Sequence, residues 1–163
     1  MRWLGCFAVV ATLGLSPAAQ APAQRITWSV TLDPKAEVRA PGDRFTALVT
    51  AKIEEGWHVY ATQELTDGPR PLRIELVAGG PADTAGEIVS PEPERDFDEA
   101  FSQVTAYYKD AATFRVPLAI KKQAKPGAGS IGFDIAFQAC DGRMCLPGRT
   151  VRLTAPVVVA RPK

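Results

Sequence analysis

The stretch "SIGFDIAFQAC", residues 130–140, alternates between apolar and polar side chains. Its apolar positions are Ile131, Phe133, Ile135 and Phe137. This period of two is typical of a half-buried β-strand, because successive side chains on a strand point to opposite faces. If the alternation continues beyond Phe137, Cys140 leaves the strand on the polar face.

Five other segments show the same alternation, and turn-forming residues separate them. They are residues 28–32, 45–54, 72–76, 114–120 and 151–157. No amphipathic helix of ten or more residues is evident. Six or more strands with one apolar face each can bury those faces by stacking two sheets. We therefore predict an all-β fold, an immunoglobulin-like antiparallel β-sandwich, with a closed barrel as the alternative.

The chain length and charge restrict the possible functions. A chain of 163 residues with a formal net charge of +1 suits one domain with its own core. Proteins that bind nucleic acids usually carry a surplus of basic residues, so we expect no nucleic-acid partner.

The N-terminus has the pattern of a secretory signal peptide. Arg2 precedes an apolar run over residues 3–15, which is too short to span a membrane, and an Ala- and Pro-rich segment follows. We predict that residues 1–23 are removed and that residues 24–163 form one exported, periplasmic domain; an uncleaved anchor is the alternative. Removal would also eliminate Cys6, leaving two cysteines in an oxidising compartment.

Those two cysteines lie in "FQACDGRMCLPG", residues 137–148, and allow three interpretations. Cys140 and Cys145 could form a structural disulfide, a redox pair, or a copper site with Met144 and His58. A disulfide across so short a loop stabilises a fold by about 2 kcal/mol in the chain-entropy treatment, so it could open without unfolding the domain. No histidine lies near the cysteines in sequence, and we predict no metal and no cofactor other than the cysteine pair.

Residues 90–106 are the least regular part of the chain. They contain "SPEPERDFDEAF", with five acidic side chains and two phenylalanines. This composition predicts a long loop with a functional role, although an ordinary solvated loop would have a similar composition.

Three segments together resemble a known family. Residues 55–76 ("EGWHVYATQELTDGPRPLRIEL"), residues 96–118 ("DFDEAFSQVTAYYKDAATFRVPL") and the cysteine segment are similar to the N-terminal domain of the thiol:disulfide interchange protein DsbD family. The resemblance implies an immunoglobulin-like periplasmic domain that receives electrons from a thioredoxin-like domain fed by a membrane domain. It would pass them to disulfide isomerases, thioredoxin-like proteins or cytochrome-maturation factors. The sequence shows neither a membrane electron conduit nor a thioredoxin-like domain, so we expect the electron source to act in trans.

The resemblance also assigns expected roles to individual residues near the cysteine pair. They are the redox pair Cys140 and Cys145, the acidic Asp98 and Glu99, the shielding aromatic Phe101 with Phe97 as its alternative, and the lining residues Trp57, His58 and Tyr60. We expect residues 96–101 to act as a lid over the sulfurs and Cys145 to be the attacking thiol. Two other functions stay open: an immunoglobulin-like binding module with a structural disulfide, and an assembly factor for copper or cytochrome proteins.

Overall fold

A computed structural model describes residues 25–36 and 38–161, so the predicted signal peptide and Cys6 lie outside the described residues. All regular secondary structure within these ranges is β-strand. The strands are β1 (Ile26–Asp33), β2 (Val38–Arg39), β3 (Arg44–Ile53), β4 (His58–Tyr60), β5 (Arg73–Leu76), β6 (Ala82–Thr84), β7 (Glu94–Asp98), β8 (Gln103–Tyr108), β9 (Ala111–Ile120), β10 (Gly127–Phe137), β11 (Ala139–Cys140) and β12 (Arg149–Val159). The described part of the chain contains no helix able to cross a membrane.

Two four-stranded sheets form the sandwich. The first has the order β1-β3-β9-β6, and the second has the order β2-β12-β10-β5. All pairings are antiparallel except the short parallel contact between β2 and β12. Both sheets end in edge strands, as in a sandwich, which excludes the closed barrel. The predicted all-β, immunoglobulin-like sandwich is confirmed.

The core lies between the apolar faces of these sheets. Phe114 of β9 and Phe133 of β10 are completely buried, and Trp28 of β1 packs against Phe114 and against Phe137 of β10. The ring centroids of Trp28 and Phe137 lie 5.3 Å apart. Burial of such aromatic side chains contributes strongly to the stability of the fold. This contribution does not depend on a disulfide.

A third sheet, with the order β11-β4-β8-β7, carries the cysteine region. The prediction of a long irregular loop over residues 90–106 is wrong, because β7 pairs with β8 along five residues and the two form a hairpin. The turn of this hairpin includes Ser102 with a φ of 53°. The physical reason is that β7 lies at the edge of the sheet, where charged side chains remain in water while the backbone still pairs on one side.

Candidate redox site at the cysteine hairpin

A disulfide joins Cys140 and Cys145 across a tight turn, with their Cα atoms 4.0 Å apart. The side chain of Asp141 organises this turn, since its Oδ1 accepts hydrogen bonds from the backbone N–H groups of Met144 (2.8 Å) and Arg143 (2.7 Å). These hydrogen bonds, from Met144 first and then Arg143, lower the pKa of the Asp141 carboxyl. An aspartate that satisfies nearby backbone groups is a common turn-forming device.

Further hydrogen bonds hold the base of the cysteine hairpin. The N–H of Leu146 donates to the carbonyl of Ala139 at 2.8 Å, and the amide of Gln138 donates to the carbonyl of Leu146 at 3.3 Å. The side-chain oxygen Oε1 of Gln138 accepts a hydrogen bond from the backbone N–H of Arg70 at 3.2 Å. The hairpin therefore has a scaffold that does not depend on the bond between the sulfurs.

The two sulfur positions differ in exposure. The core-facing alternation of β10 continues to Ala139, so Cys140 does lie on the opposite face, but it is only 1% exposed. Cys140 therefore has the predicted strand phase, but at this position the face is buried rather than polar. The reason is that β11 leaves the second sheet and pairs with β4, which places Cys140 directly opposite His58. Cys145 is half-buried and lines a surface depression.

The depression has a volume of about 500 Å³ and lies between the cysteine hairpin and the hairpin formed by β7 and β8. Of the predicted site residues, six line it: Cys145, His58, Tyr60, Phe97, Asp98 and Glu99. Trp57 is not among its lining residues; its ring packs against the core and lies 5.3 Å from the guanidinium of Arg25. Trp57 precedes β4, so it lies outside the strand that carries His58 and Tyr60 to the depression.

His58 is held between two aromatic rings. Its ring centroid lies 5.0 Å from that of Tyr60, edge to face, and 5.1 Å from that of Tyr107. Burial lowers the pKa of His58; Asp98 and Asp141 partly oppose this shift, and Lys109 adds to it. Nε2 of His58 is buried and has no hydrogen-bond partner among the described residues. The imidazole is therefore neutral at neutral pH, with a ring nitrogen available for a proton.

Asp98 connects the β7–β8 hairpin to β4. Its Oδ2 accepts hydrogen bonds from the hydroxyl of Tyr60 at 2.7 Å and from the hydroxyl of Thr105 at 3.5 Å. Burial, the hydrogen bond to Asp98 and the charge of Asp98 all raise the pKa of Tyr60. Asp98 thus anchors the β7–β8 hairpin beside the cysteines.

The two candidate shielding phenylalanines lie in different places. Phe101, in the turn after β7, is half-buried and packs edge to face against Tyr60, with ring centroids 5.9 Å apart. Phe97 borders the depression, but its side chain is 59% exposed. Phe97 pairs in register with Val104, and side chains of directly paired residues share a face, so it projects away from the face of Asp98.

Sequence reasoning did not assign a site role to several residues that line the depression, among them Thr105, Tyr107 and Lys109 of the β8 segment. These three occupy every second position of β8 and its end, so a period of two in "QVTAYYK" could have placed them on one face. Lys109 also forms an ion pair with Glu94 at 3.2 Å. Within residues 25–36 and 38–161, no three His, Cys, Asp or Glu side chains are grouped as metal ligands.

A known protein family matches most of the chain. The family model "Thiol:disulfide interchange protein DsbD, N-terminal" matches residues 29–156. The N-terminal domain of DsbD from Neisseria meningitidis, in its reduced form, is 16% identical; the match covers 69% of this chain and 77% of that chain, with a TM-score of 0.49. A search of curated protein sequences returned no match.

A second solved structure is similar in fold. It is the N-terminal periplasmic domain of ScsB from Proteus mirabilis, which is 13% identical. The match covers 82% of this chain and 46% of that chain, with a TM-score of 0.52. The family model covers well over half of the sequence, including all three segments that carry the resemblance. The chain therefore belongs to the family of N-terminal domains of the thiol:disulfide interchange protein DsbD.

Proposed function

We propose that this domain is an exported thiol–disulfide relay that works in the periplasm through Cys140 and Cys145. The observation that carries the proposal is the placement of the disulfide. It lies outside the apolar core, on a hairpin held by its own hydrogen bonds, and Cys145 borders an open depression. Opening such a bond exposes a reactive sulfur without removing the contacts that hold the fold.

The exchange chemistry follows from the difference in exposure. A thiolate of the electron donor attacks the sulfur of Cys145, and Cys140 leaves as a thiolate. The donor's second thiol then breaks the mixed disulfide, so the donor becomes oxidised and both cysteines become reduced. Two electrons and two protons have moved to this domain. The reduced pair reduces an oxidised substrate protein by the same steps in reverse.

Family membership supports the choice of partners. The electron donor is a thioredoxin-like domain supplied by a membrane conduit, and the acceptors are periplasmic thioredoxin-like proteins, disulfide isomerases or cytochrome-maturation factors. The competing possibility is a binding or assembly module whose disulfide is only structural.

Electron exchange tests the proposal. The oxidised domain, carrying Cys6→Ser, is mixed with a reduced thioredoxin-like protein, and free thiols are counted by alkylation and mass spectrometry. We expect the Cys140–Cys145 pair to gain two thiols while the domain stays folded. A pair that stays oxidised in excess reductant would favour the structural module.

We expect the segment of residues 96–101 to limit access to the disulfide through Phe101. Phe101→Ala should increase the rate at which small thiol reagents reduce the disulfide, by up to about tenfold. The reason is that an edge-to-face aromatic pair contributes about 0.5–1.5 kcal/mol, and losing the contact with Tyr60 frees the turn. The matched control is Val104→Ala, which removes an exposed side chain of the same hairpin that does not line the depression. Equal rates for both variants and the unaltered chain would argue against a lid built on Phe101.

A further inference from the structure

Reduction and oxidation of the pair require proton transfers, and Cys140 cannot make them with bulk water as easily as Cys145. Cys140 is only 1% exposed, whereas Cys145 borders the depression. In the resolving step the thiol of Cys140 must lose its proton before its sulfur can attack Cys145, because the thiolate is the nucleophile. A buried thiol with no base beside it would make that step slow.

The strand register places one base beside this thiol. Cys140 and His58 are direct cross-strand partners in the antiparallel pairing of β11 with β4. Side chains at such positions share a face, with Cβ atoms about 4.5–5.5 Å apart. His58 and Cys145 both line the depression, so the register partner of Cys140 shares this surface with the more exposed cysteine.

The imidazole of His58 has a hydrogen-bonding atom that no other described residue contacts as a partner. Its Nε2 is buried without a hydrogen-bond partner among the described residues, and burying a polar nitrogen in this way costs free energy. The rings of Tyr60 and Tyr107 fix the orientation of the imidazole. A residue that served only to pack this site could be apolar, whereas a ring nitrogen without a partner, at the strand position opposite Cys140, suits proton transfer.

We propose that His58 is the base that takes the proton from Cys140 when the domain reduces its partner. This inference rests on the proposed function and adds the proton path to it. The sulfur of Cys140 attacks Cys145 as its proton passes to His58, and the Cys140–Cys145 bond forms while the bond from Cys145 to the partner breaks. The partner leaves as a thiolate and takes up the proton from the imidazolium, so charge and protons balance.

The charged groups around His58 suit this role. Asp98 of β7 and Asp141 of the cysteine hairpin favour the protonated ring, whereas Lys109 at the end of β8 and burial favour the neutral ring. The balance keeps the ring neutral before the reaction, and the two carboxylates stabilise the transient imidazolium.

A two-phase reaction isolates the step. The reduced chain, carrying Cys6→Ser, reacts with Ellman's disulfide reagent: attack by Cys145 releases the first thionitrobenzoate, and attack by Cys140 on the mixed disulfide releases the second. An ordinary thiol of pKa about 8.5 is only about 1% ionised near pH 6.5, so His58→Gln should slow the second phase by up to about a hundredfold there. Above about pH 9 the two chains should converge, because the thiol then ionises without a base.

The first phase is the internal control, because Cys145 reaches solvent without His58. A second phase slowed by the same factor at every pH would mean that His58 only positions the hairpin, and an unchanged pH profile would overturn the proposal as well. Either result leaves the relay function intact, because exchange with a thioredoxin-like protein is measured separately.

The unaltered ring provides a test that needs no replacement of His58. This is the only histidine in the chain, so NMR follows a single imidazole titration. We expect the titration to differ between the oxidised and the reduced chain. Cys145→Ala, which keeps the thiol of Cys140, should titrate like the reduced chain, and Cys140→Ala should titrate like the oxidised chain. A titration that is identical in the oxidised and reduced chains would contradict the proposal even if His58→Gln fails to fold.

Discussion

Replacing Cys140 with serine should convert the domain into a trap that holds its partner covalently on Cys145, whereas replacing Cys145 should abolish adduct formation. The reason is access: Cys145 borders the depression, and Cys140 is 1% exposed. Without Cys140 this domain has no thiol to resolve the mixed disulfide. The partner's own second active-site cysteine is replaced and its remaining thiol carries thionitrobenzoate as a leaving group, so the adduct formed on Cys145 persists. Non-reducing electrophoresis and mass spectrometry with a thioredoxin-like protein would detect the adduct.

Both variants carry Cys6→Ser, so that only the hairpin thiols respond. The matched control is Cys140→Ser with Cys145→Ser, which should form no adduct. If the variant that retains Cys140 forms the adduct instead, then Cys140 is the attacking thiol and the argument from exposure fails.

Phe133→Ala should destabilise the domain by about 3–5 kcal/mol in the free energy of unfolding. Phe133 is completely buried between the two main sheets, and its loss leaves a cavity in a close-packed core. Reducing the disulfide should remove no more than about 2 kcal/mol, because it closes a loop of only a few residues. Urea unfolding of the oxidised, the reduced and the Phe133→Ala protein would measure all three.

Val104→Ala serves as the surface control for this comparison. Val104 is 58% exposed on β8, so its truncation should change the free energy of unfolding by less than about 0.5 kcal/mol. A reduced domain that unfolds more readily than Phe133→Ala would show that the disulfide, and not the core, holds the fold together.

The architecture was predictable because the core strands carry strong local signals. Apolar and polar residues alternate around Phe133 and Val49, and both of these side chains are buried. Such alternation predicts a strand with one buried face from the local sequence alone. Strand β7 lacks such a signal, because it is an edge strand rich in acidic residues and has no alternating apolar side chains. It forms because its backbone pairs with β8. The sequence therefore predicts the sandwich but not the hairpin beside the site.

The site was predictable in its residues but only partly in its arrangement. Cys140 and Cys145 are close in sequence, and five residues allow little choice of geometry. The pairing of Cys140 with His58 depends on a strand register across about eighty residues, and local patterns do not determine such a register. The same limit explains why the burial of Cys140 opposite His58 was not predicted.

The reduction potential of the Cys140–Cys145 pair tests the relay most directly. It is measured by equilibrating the domain, carrying Cys6→Ser, with a thioredoxin-like protein of known potential and quantifying the oxidised and reduced forms of both. A relay should equilibrate readily and give a value between about −180 and −270 mV, in the range of thioredoxin-like exchange proteins. A value below about −300 mV, with little exchange even in excess reductant, would identify the disulfide as structural and contradict the account.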